Sequence, residues 1–167
     1  MDKKYELRVD NFVRDKLKKN YIKFGEQHDL PKTIATGLNK ASKSGDKFGK
    51  PDFAIVFDKF PDTCVLIEDK YGLNFLKDET KSGEVSMTGK SIESFALNGA
   101  VHYAKSLLNN PDTPFNYNNV YAIGVAGEGP EDDLDVKYEC LLFKRGVEVI
   151  KKIDFKDFSY FNEKKFC

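Results

Sequence analysis

The sequence has no net charge, few cysteines and no long apolar run. Its 27 lysines and arginines balance 27 aspartates and glutamates, so the molecule as a whole has no field that would attract a polyanion, and any basic surface must be local. The three cysteines, Cys64, Cys140 and Cys167, lie far apart. This spacing argues against a zinc site or a disulfide framework and favours a reducing compartment.

The sequence also lacks segments that would direct it to a membrane. No apolar run approaches the length of a membrane span, and the N-terminal MDKKYELRVD has no signal-peptide core. We therefore expect a cytoplasmic protein without membrane partners. With 167 residues, 40% of them hydrophobic and 32% charged, and without repeats or a linker, the chain is typical of one globular domain.

Hydrophobic periodicity predicts three helices. Apolar residues at helical spacing predict a first helix over 7–24, with Gly25 as its stop. A second, short helix is expected over 33–41. The strongest pattern covers 91–109, where Ser91 is the expected N-cap.

Five short apolar runs predict strands. Those at 53–57 and 64–67 are separated by a proline-containing turn and should form an antiparallel hairpin. The run at 120–125 follows a helix and should pair in parallel with a strand near that hairpin. A second hairpin is expected from 138–143 and 147–151. The long polar segment 71–90 has no period and is typical of a functional or mobile loop. These elements predict an α/β fold with a mixed central β-sheet flanked by helices, in which an α-β-β-α-β core precedes a C-terminal hairpin.

The stretch from Gly49 to Lys70 carries polar residues at the ends of the first two strands. Asp52 begins one strand and Glu68 ends the next, so an antiparallel hairpin would bring their carboxylates together. With the backbone carbonyl of Asp69, they would form a hard-oxygen site suited to Mg²⁺. Lys70 shares a face with Glu68 because side chains alternate along a strand, and it would orient or deprotonate a metal-activated water.

Each of these features also has a simpler interpretation. Pro51 and Asp52 are typical of a turn before a strand, and Glu-Asp-Lys is typical of a solvated strand end. However, Glu68 continues the apolar run CVLI, where an unpaired carboxylate would be costly. A metal ion or Lys70 would account for its presence there.

The pattern PD, strand, apolar residue and Glu-Asp-Lys resembles the signature of the PD-(D/E)xK nuclease superfamily. The segments KASKSGDKFGKPDFAIVF, FALNGAVHYAKSLL and NVYAIGVAGEG extend the resemblance over roughly 25–129. They are similar to the N-terminal endonuclease domains of type I restriction R subunits and of fused, type IIG-like restriction–modification proteins. The resemblance implies a restriction-endonuclease-like fold in which Asp52, Glu68 and Lys70 are catalytic. It also implies that residues 1–167 form a single nuclease domain of a longer restriction–modification polypeptide.

The family often has a further acid on the first helix and a Gln-x-x-x-Tyr element on the helix after the lysine. Glu26 is the first candidate for the acid, with Asp10 and Glu6 as alternatives. Gly99 stands where the glutamine is expected. The DNA-positioning role is therefore assigned to three residues of that helix, Asn98, His102 and Tyr103. Packing roles in the helix are the alternative for His102 and Tyr103.

A basic loop precedes Asp52. We expect Lys43, Lys47 and Lys50 to contact DNA phosphates, with a purely solvated loop as the alternative. An acidic run over 128–135 would repel DNA and should lie away from the cleft.

Together these features predict an Mg²⁺-dependent endodeoxyribonuclease, with Mn²⁺ as a possible substitute, that acts on double-stranded DNA. The sequence contains no helicase P-loop and no methyltransferase motif, so we expect translocase, methyltransferase or specificity domains or subunits as partners. Two alternatives remain. One is a nuclease-like DNA-binding or assembly module without cleavage, and the other is a stand-alone repair or resolvase nuclease of the same superfamily.

Overall fold

The computed structural model describes residues 3–45, 47–111 and 117–164. They form an α/β fold with one six-stranded sheet. The helices are α1 (Lys3–Lys19), α2 (Lys32–Gly37), α3 (Gly89–Ser94) and α4 (Ala96–Asn109). The strands are β1 (Gly25–Glu26), β2 (Phe53–Val56), β3 (Thr63–Tyr71), β4 (Asn119–Glu128), β5 (Asp135–Lys144) and β6 (Lys151–Ile153). Two 3-10 helices cover Leu73–Phe75 and Phe158–Phe161.

The sheet is mixed, and its strands lie in chain order from β1 to β6. The β3–β4 pair is parallel, as predicted, and the other pairs are antiparallel. The predicted hairpin of β2 and β3 is confirmed, with Phe53 opposite Ile67. This register places Asp52, the residue before β2, beside Glu68.

Helices cover both faces of the sheet. On one face, α4 packs with α2 over side chains such as Leu66 and Ala122. On the other face, α1 and the Phe158–Phe161 helix cover side chains such as Ile67 and Ile123. Alternate residues of β3 therefore face different helices, which separates Glu68 from Asp69. Cys64 and Cys140 are buried free thiols within these layers, as expected, and Cys167 lies outside the described residues.

Helix α1 covers 3–19 and not the predicted 7–24. It ends in a Schellman arrangement, in which Ile22 N–H donates to Leu17 O (3.0 Å) and Tyr21 N–H donates to Lys18 O (3.0 Å). This closure requires a left-handed residue, and Tyr21 supplies it with φ 57°. Glycine usually takes that position, so the sequence did not indicate the end of the helix. Gly25 instead begins β1.

The helix predicted over 91–109 is two helices separated by Phe95, whose backbone is extended (φ −118°, ψ 135°). Thr88, and not Ser91, caps α3 by accepting a hydrogen bond from Ser91 N–H (3.2 Å). At the break, Leu97 N–H donates to Leu76 O (2.8 Å). The break therefore leaves Leu97 N–H free of a helical bond, and this group binds the segment 71–90 instead.

Other predicted bounds also shift. The predicted helix 33–41 ends at Gly37, and β6 covers 151–153, whereas residues 147–150 of the predicted strand are exposed and lie outside the sheet. The segment 71–90 is not structureless: it includes a 3-10 helix and a bridge between Glu79 and Val85. Among the described residues, no helix is long and apolar enough to span a membrane.

Candidate active site

A charged cavity of about 360 Å³ opens where the hairpin of β2 and β3 meets α1 and the loop after α2. Helix α1 contributes Glu6 and Asp10, and the hairpin contributes the acidic and basic residues singled out in the sequence. The full lining is Glu6, Asp10, Gln27, Lys43, Phe48, Lys50, Asp52, Glu68, Asp69, Lys70 and Tyr103. The three motif positions, Asp52, Glu68 and Lys70, therefore share one cavity.

Asp52 is joined to β3 by two hydrogen bonds between backbone N–H groups and carboxylate oxygens. Its Oδ2 accepts a hydrogen bond from Asp69 N–H (2.9 Å), while its own N–H donates to Glu68 Oε2 (2.9 Å). Burial, and then the negative charge of Glu68, raise the pKa of Asp52. The predicted convergence of Asp52 and Glu68 is thus present, and it takes the form of direct hydrogen bonding.

Glu68 is 2% exposed and forms an ion pair with Lys43. Burial alone would raise the pKa of Glu68, but the positive charge of Lys43 and hydrogen bonds from Lys43 and Asp52 hold this pKa below its usual range. Burial would likewise lower the pKa of Lys43, yet Glu68 raises it. Both groups are therefore charged, and Lys43 belongs to the interior of the site rather than to an exposed DNA-binding surface.

The bare backbone of Gly99 makes room for this ion pair. A Cβ atom at Gly99 would lie 3.1 Å from Lys43 Cε and 3.2 Å from Glu68 Oε1. The Lys43 ammonium also lies 5.8 Å from the centre of the Tyr103 ring. Burial, and then Glu68, raise the pKa of Tyr103 to about 12. Glycine therefore stands at position 99, where the resemblance leads one to expect glutamine, and the space is used by Lys43, which reaches the site from the loop after α2.

Asp69 points to the opposite face of the sheet, toward α1. Carboxylate oxygens of Asp10, Asp52 and Asp69 all lie within 4.8 Å of one another. Burial, and then the charge of Asp52, raise the pKa of Asp69. Its Oδ2 atom is buried and has no hydrogen-bond partner among the described residues. An all-oxygen donor set with an unsatisfied buried oxygen fits a hard divalent cation such as Mg²⁺.

Lys70 is half-buried near the end of β3 and lines the same cavity. It makes no ion pair within the described ranges. Lys50 is exposed at the rim of the cavity, and Lys47 is exposed nearby on the same loop. The two positions suit contacts with phosphates at the mouth of the cavity.

The structure gives other predicted site residues different partners. Glu26 pairs with Arg14 (2.6 Å) and lies outside the cavity lining, whereas Asp10, the alternative acid, lies inside it. Asn98 is fully buried, where it accepts a hydrogen bond from Asp78 N–H and donates to the carbonyls of Asp78 and Ser86. Glu26 is therefore no acid of this cavity, and Asn98 fastens the segment 71–90 and does not face DNA.

His102 and Tyr103 differ in their relation to the cavity. His102 Nε2 lies 2.9 Å from Ala41 O, at the base of the basic loop, and it is absent from the cavity lining. Tyr103 is 4% exposed and lines the cavity. His102 therefore holds the base of the basic loop, Tyr103 forms part of the cavity wall, and their predicted contacts with DNA stay predictions.

Sequence patterns did not single out Gln27 and Phe48, which also line the cavity. They also assigned only the backbone carbonyl of Asp69 to the metal. Alternation along β3 was a signal that Asp69 would face away from Glu68, and the helical register of α1 makes Asp10 available on that side of the sheet. What the sequence could not supply was the docking position of α1.

The chain is similar to part of one known protein. It is 31% identical over 123 residues to the type II restriction enzyme and methyltransferase RM.BcgI of Heyndrickxia coagulans. The match covers 72% of this chain and 18% of that relative, so the chain spans less than a fifth of the protein it matches. No protein-family model and no solved structure matches the chain.

Proposed function

We propose that the chain is a metal-dependent endonuclease domain that hydrolyses phosphodiester bonds of double-stranded DNA within a restriction–modification system. The observation that carries the proposal is the shared cavity of Asp52, Glu68 and Lys70. The similarity to a restriction enzyme and methyltransferase supports the biological setting. The mixed sheet with the site on its central hairpin is compatible with a restriction-endonuclease-like arrangement.

Mg²⁺, or Mn²⁺ in its place, would activate the attacking water and neutralise charge on the scissile phosphate. Asp52 belongs both to the ligand set predicted from the sequence and to the cluster with Asp10 and Asp69, and is therefore the ligand we assign first. Lys70 presents a positive charge to the cavity, where it orients the water or stabilises the phosphate in the transition state. Lys43 keeps Glu68 ionised and fixed.

The surroundings of the cavity suit a phosphate backbone better than a base sequence. Lys47 and Lys50 lie on an exposed loop at its mouth, and the net charge of the chain is zero. We therefore expect weak, nonspecific binding of DNA. Translocase, methyltransferase or specificity domains or subunits would direct cleavage to chosen sites.

Nicking of supercoiled plasmid in Mg²⁺ or Mn²⁺ tests the proposal. Lys70→Ala and Asp52→Ala should each lower the nicking rate by about a hundredfold or more, because each removes a group that acts on the reacting phosphate or water. Lys81→Ala and Asp132→Ala change the same residue types at exposed positions outside the cavity, and should nick like the unmodified chain.

Equal nicking by all variants would contradict the assignment of the site. If the unmodified chain binds DNA and metal but neither it nor any variant nicks, the non-cleaving module becomes the better description.

A further inference from the structure

The negative charges of the cavity fall into two groups that are balanced differently. Glu68 has its own cation, because Lys43 forms an ion pair with it inside the protein. Asp10, Asp52 and Asp69 have none: within the described ranges, no lysine or arginine lies within ion-pair distance of their carboxylates. Three uncompensated carboxylates in close proximity repel one another unless protons or a cation neutralise them.

These three carboxylates come from three separate elements. Asp10 lies on α1, Asp52 precedes β2 and Asp69 lies on β3. Their oxygens lie within 4.8 Å of one another, a spacing from which all of them can reach one ion. Asp52 is fixed by the N–H group of Asp69 through its Oδ2, so the arrangement is built into the backbone of the hairpin.

Asp69 supplies an observation that is independent of the clustering. It is 6% exposed, and its Oδ2 is buried without a hydrogen-bond partner in the described part of the chain. Buried carboxylate oxygens are normally satisfied, and this one faces a cluster of acids. A bound cation would satisfy it and would also neutralise the repulsion among the three acids.

We propose that the side chains of Asp10, Asp52 and Asp69 together form a divalent-cation site on the α1 side of the sheet, and that Glu68 stands outside it, held by Lys43. Only oxygen atoms are offered, so the cation is a hard one such as Mg²⁺, Mn²⁺ or Ca²⁺. This proposal deepens the nuclease function proposed above, and a catalytic role for the cation rests on that function. The ligand set differs from the one predicted from the sequence, because the side chains of Asp10 and Asp69 take the place of Glu68.

Calorimetric titration of the 167-residue chain with Mn²⁺ and with Ca²⁺, without DNA, tests the site. Asp69→Asn and Asp10→Asn should each weaken binding by at least about tenfold, because each replaces a charged carboxylate ligand of the ion with a neutral amide. The double variant Lys43→Met/Glu68→Gln should keep most of the affinity, because it removes both members of the buried ion pair and leaves the three acids in place. Asp15→Asn is the matched control, since it removes an exposed carboxylate from the same helix, and it should bind like the unmodified chain.

Thermal unfolding in EDTA and in Ca²⁺ distinguishes a ligand from a structural residue. In EDTA, Asp69→Asn should raise the melting temperature, because it relieves repulsion among the three acids. Added Ca²⁺ should raise the melting temperature of the unmodified chain and of Lys43→Met/Glu68→Gln, and raise that of Asp69→Asn much less. A structural residue would instead lower the melting temperature in both conditions, with the Ca²⁺-induced rise unchanged.

Undiminished metal binding by Asp69→Asn, or loss of binding in Lys43→Met/Glu68→Gln while Asp69→Asn still binds, would overturn the proposal. The plasmid assay keeps this result separate from the proposed function. If Lys70→Ala abolishes nicking while Asp69→Asn binds metal and nicks normally, the nuclease proposal stands and the ligand assignment fails. If the three acids bind metal but the chain never nicks, the ligand assignment stands and the nuclease proposal fails.

Discussion

At the residue scale, Lys43 is the side chain whose role changes most between sequence and structure. Its position among the lysines of a glycine-rich loop predicts a solvated phosphate contact. In the fold, it enters the protein above Gly99 and pairs with the buried Glu68. An ion pair of this kind adds little net stability when complete, but loss of one partner leaves the other charge buried and unpaired.

Lys43→Met should therefore lower the free energy of unfolding by about 3–5 kcal/mol near neutral pH. The double variant Lys43→Met/Glu68→Gln should recover much of that loss, because the remaining buried group is then neutral. Denaturant unfolding measures both. Lys47→Met, at an exposed position of the same loop, is the control and should change stability little.

The same ion pair predicts that the contribution of Glu68 to stability depends on pH in opposite directions in the unmodified chain and in Lys43→Met. Lys43 holds the pKa of Glu68 below its usual range, so this contribution is present above the unfolded pKa, about 4.3, and is lost as pH falls through the folded pKa. In Lys43→Met, burial without Lys43 raises the pKa of Glu68, so its contribution should grow as pH falls from 7 toward 5. Comparison of unfolding across this range checks the prediction, and parallel curves for the two proteins would contradict it.

At the element scale, α4 is held against the sheet by a close approach of backbones. A Cβ atom at Gly124 of β4 would lie 2.5 Å from Leu97 N and 2.7 Å from Leu97 Cα. These are backbone atoms of the first turn of α4, so a side chain cannot be accommodated by a rotamer change. The approach fixes the height of α4 above β3, and with it the distance between Gly99 and Glu68.

Gly124→Ala should lower the free energy of unfolding by about 1–3 kcal/mol or more, because overpacking here must displace a helix. It should also reduce nicking, since α4 carries Gly99 and Tyr103 into the site. The control is Gly89→Ala, where an added Cβ meets nothing within 4 Å. Equal stability of the two variants would show that α4 can shift without cost.

The elements also show what the sequence can and cannot predict. Apolar runs predicted β2 to β5, the β2–β3 hairpin and the parallel pairing of β3 with β4, because alternation and connection length are local signals. The two-residue β1 was not predicted, and β6 overlaps its predicted range only at Lys151. The end of α1 at Tyr21 and the break at Phe95 were missed. The end of α1 depends on Tyr21 in a left-handed conformation that its type does not favour. The break at Phe95 depends on a contact with another segment, from Leu97 N–H to Leu76 O. The partners of Lys43 and Asp69 likewise follow from how helices dock, which no local pattern encodes.

At the scale of the whole molecule, the balance of 27 basic and 27 acidic residues leaves DNA binding to local features. None of the acidic residues of 128–135 lines the cavity, although Glu131 lies against Asn11 of α1. The loop with Lys47 and Lys50 carries exposed basic side chains at the cavity, where Lys50 is part of the lining. Binding should therefore be weak and depend on a small number of phosphate contacts.

Affinity for duplex DNA measured against salt concentration, in Ca²⁺, tests this expectation. Lys47→Ala and Lys50→Ala should each lessen the salt slope by about 0.9 if each lysine contacts one phosphate. Lys151→Ala, at an exposed position on β6, should leave the slope unchanged. An unchanged slope in the loop variants would place the DNA on another face.

The packing of α1 against the sheet determines when the cavity can form during synthesis. Asp10 is translated before every strand of the sheet, yet α1 packs against β3 and β4, and Arg8 Nη1 donates to Gly129 O (2.9 Å). The helix must therefore wait, without its own layer of the core, until the chain is translated past residue 129. Contacts of such long range form late and slow folding. A nascent chain thus carries the acids of the site long before it can bring them together, and the cavity matures only with nearly the whole domain.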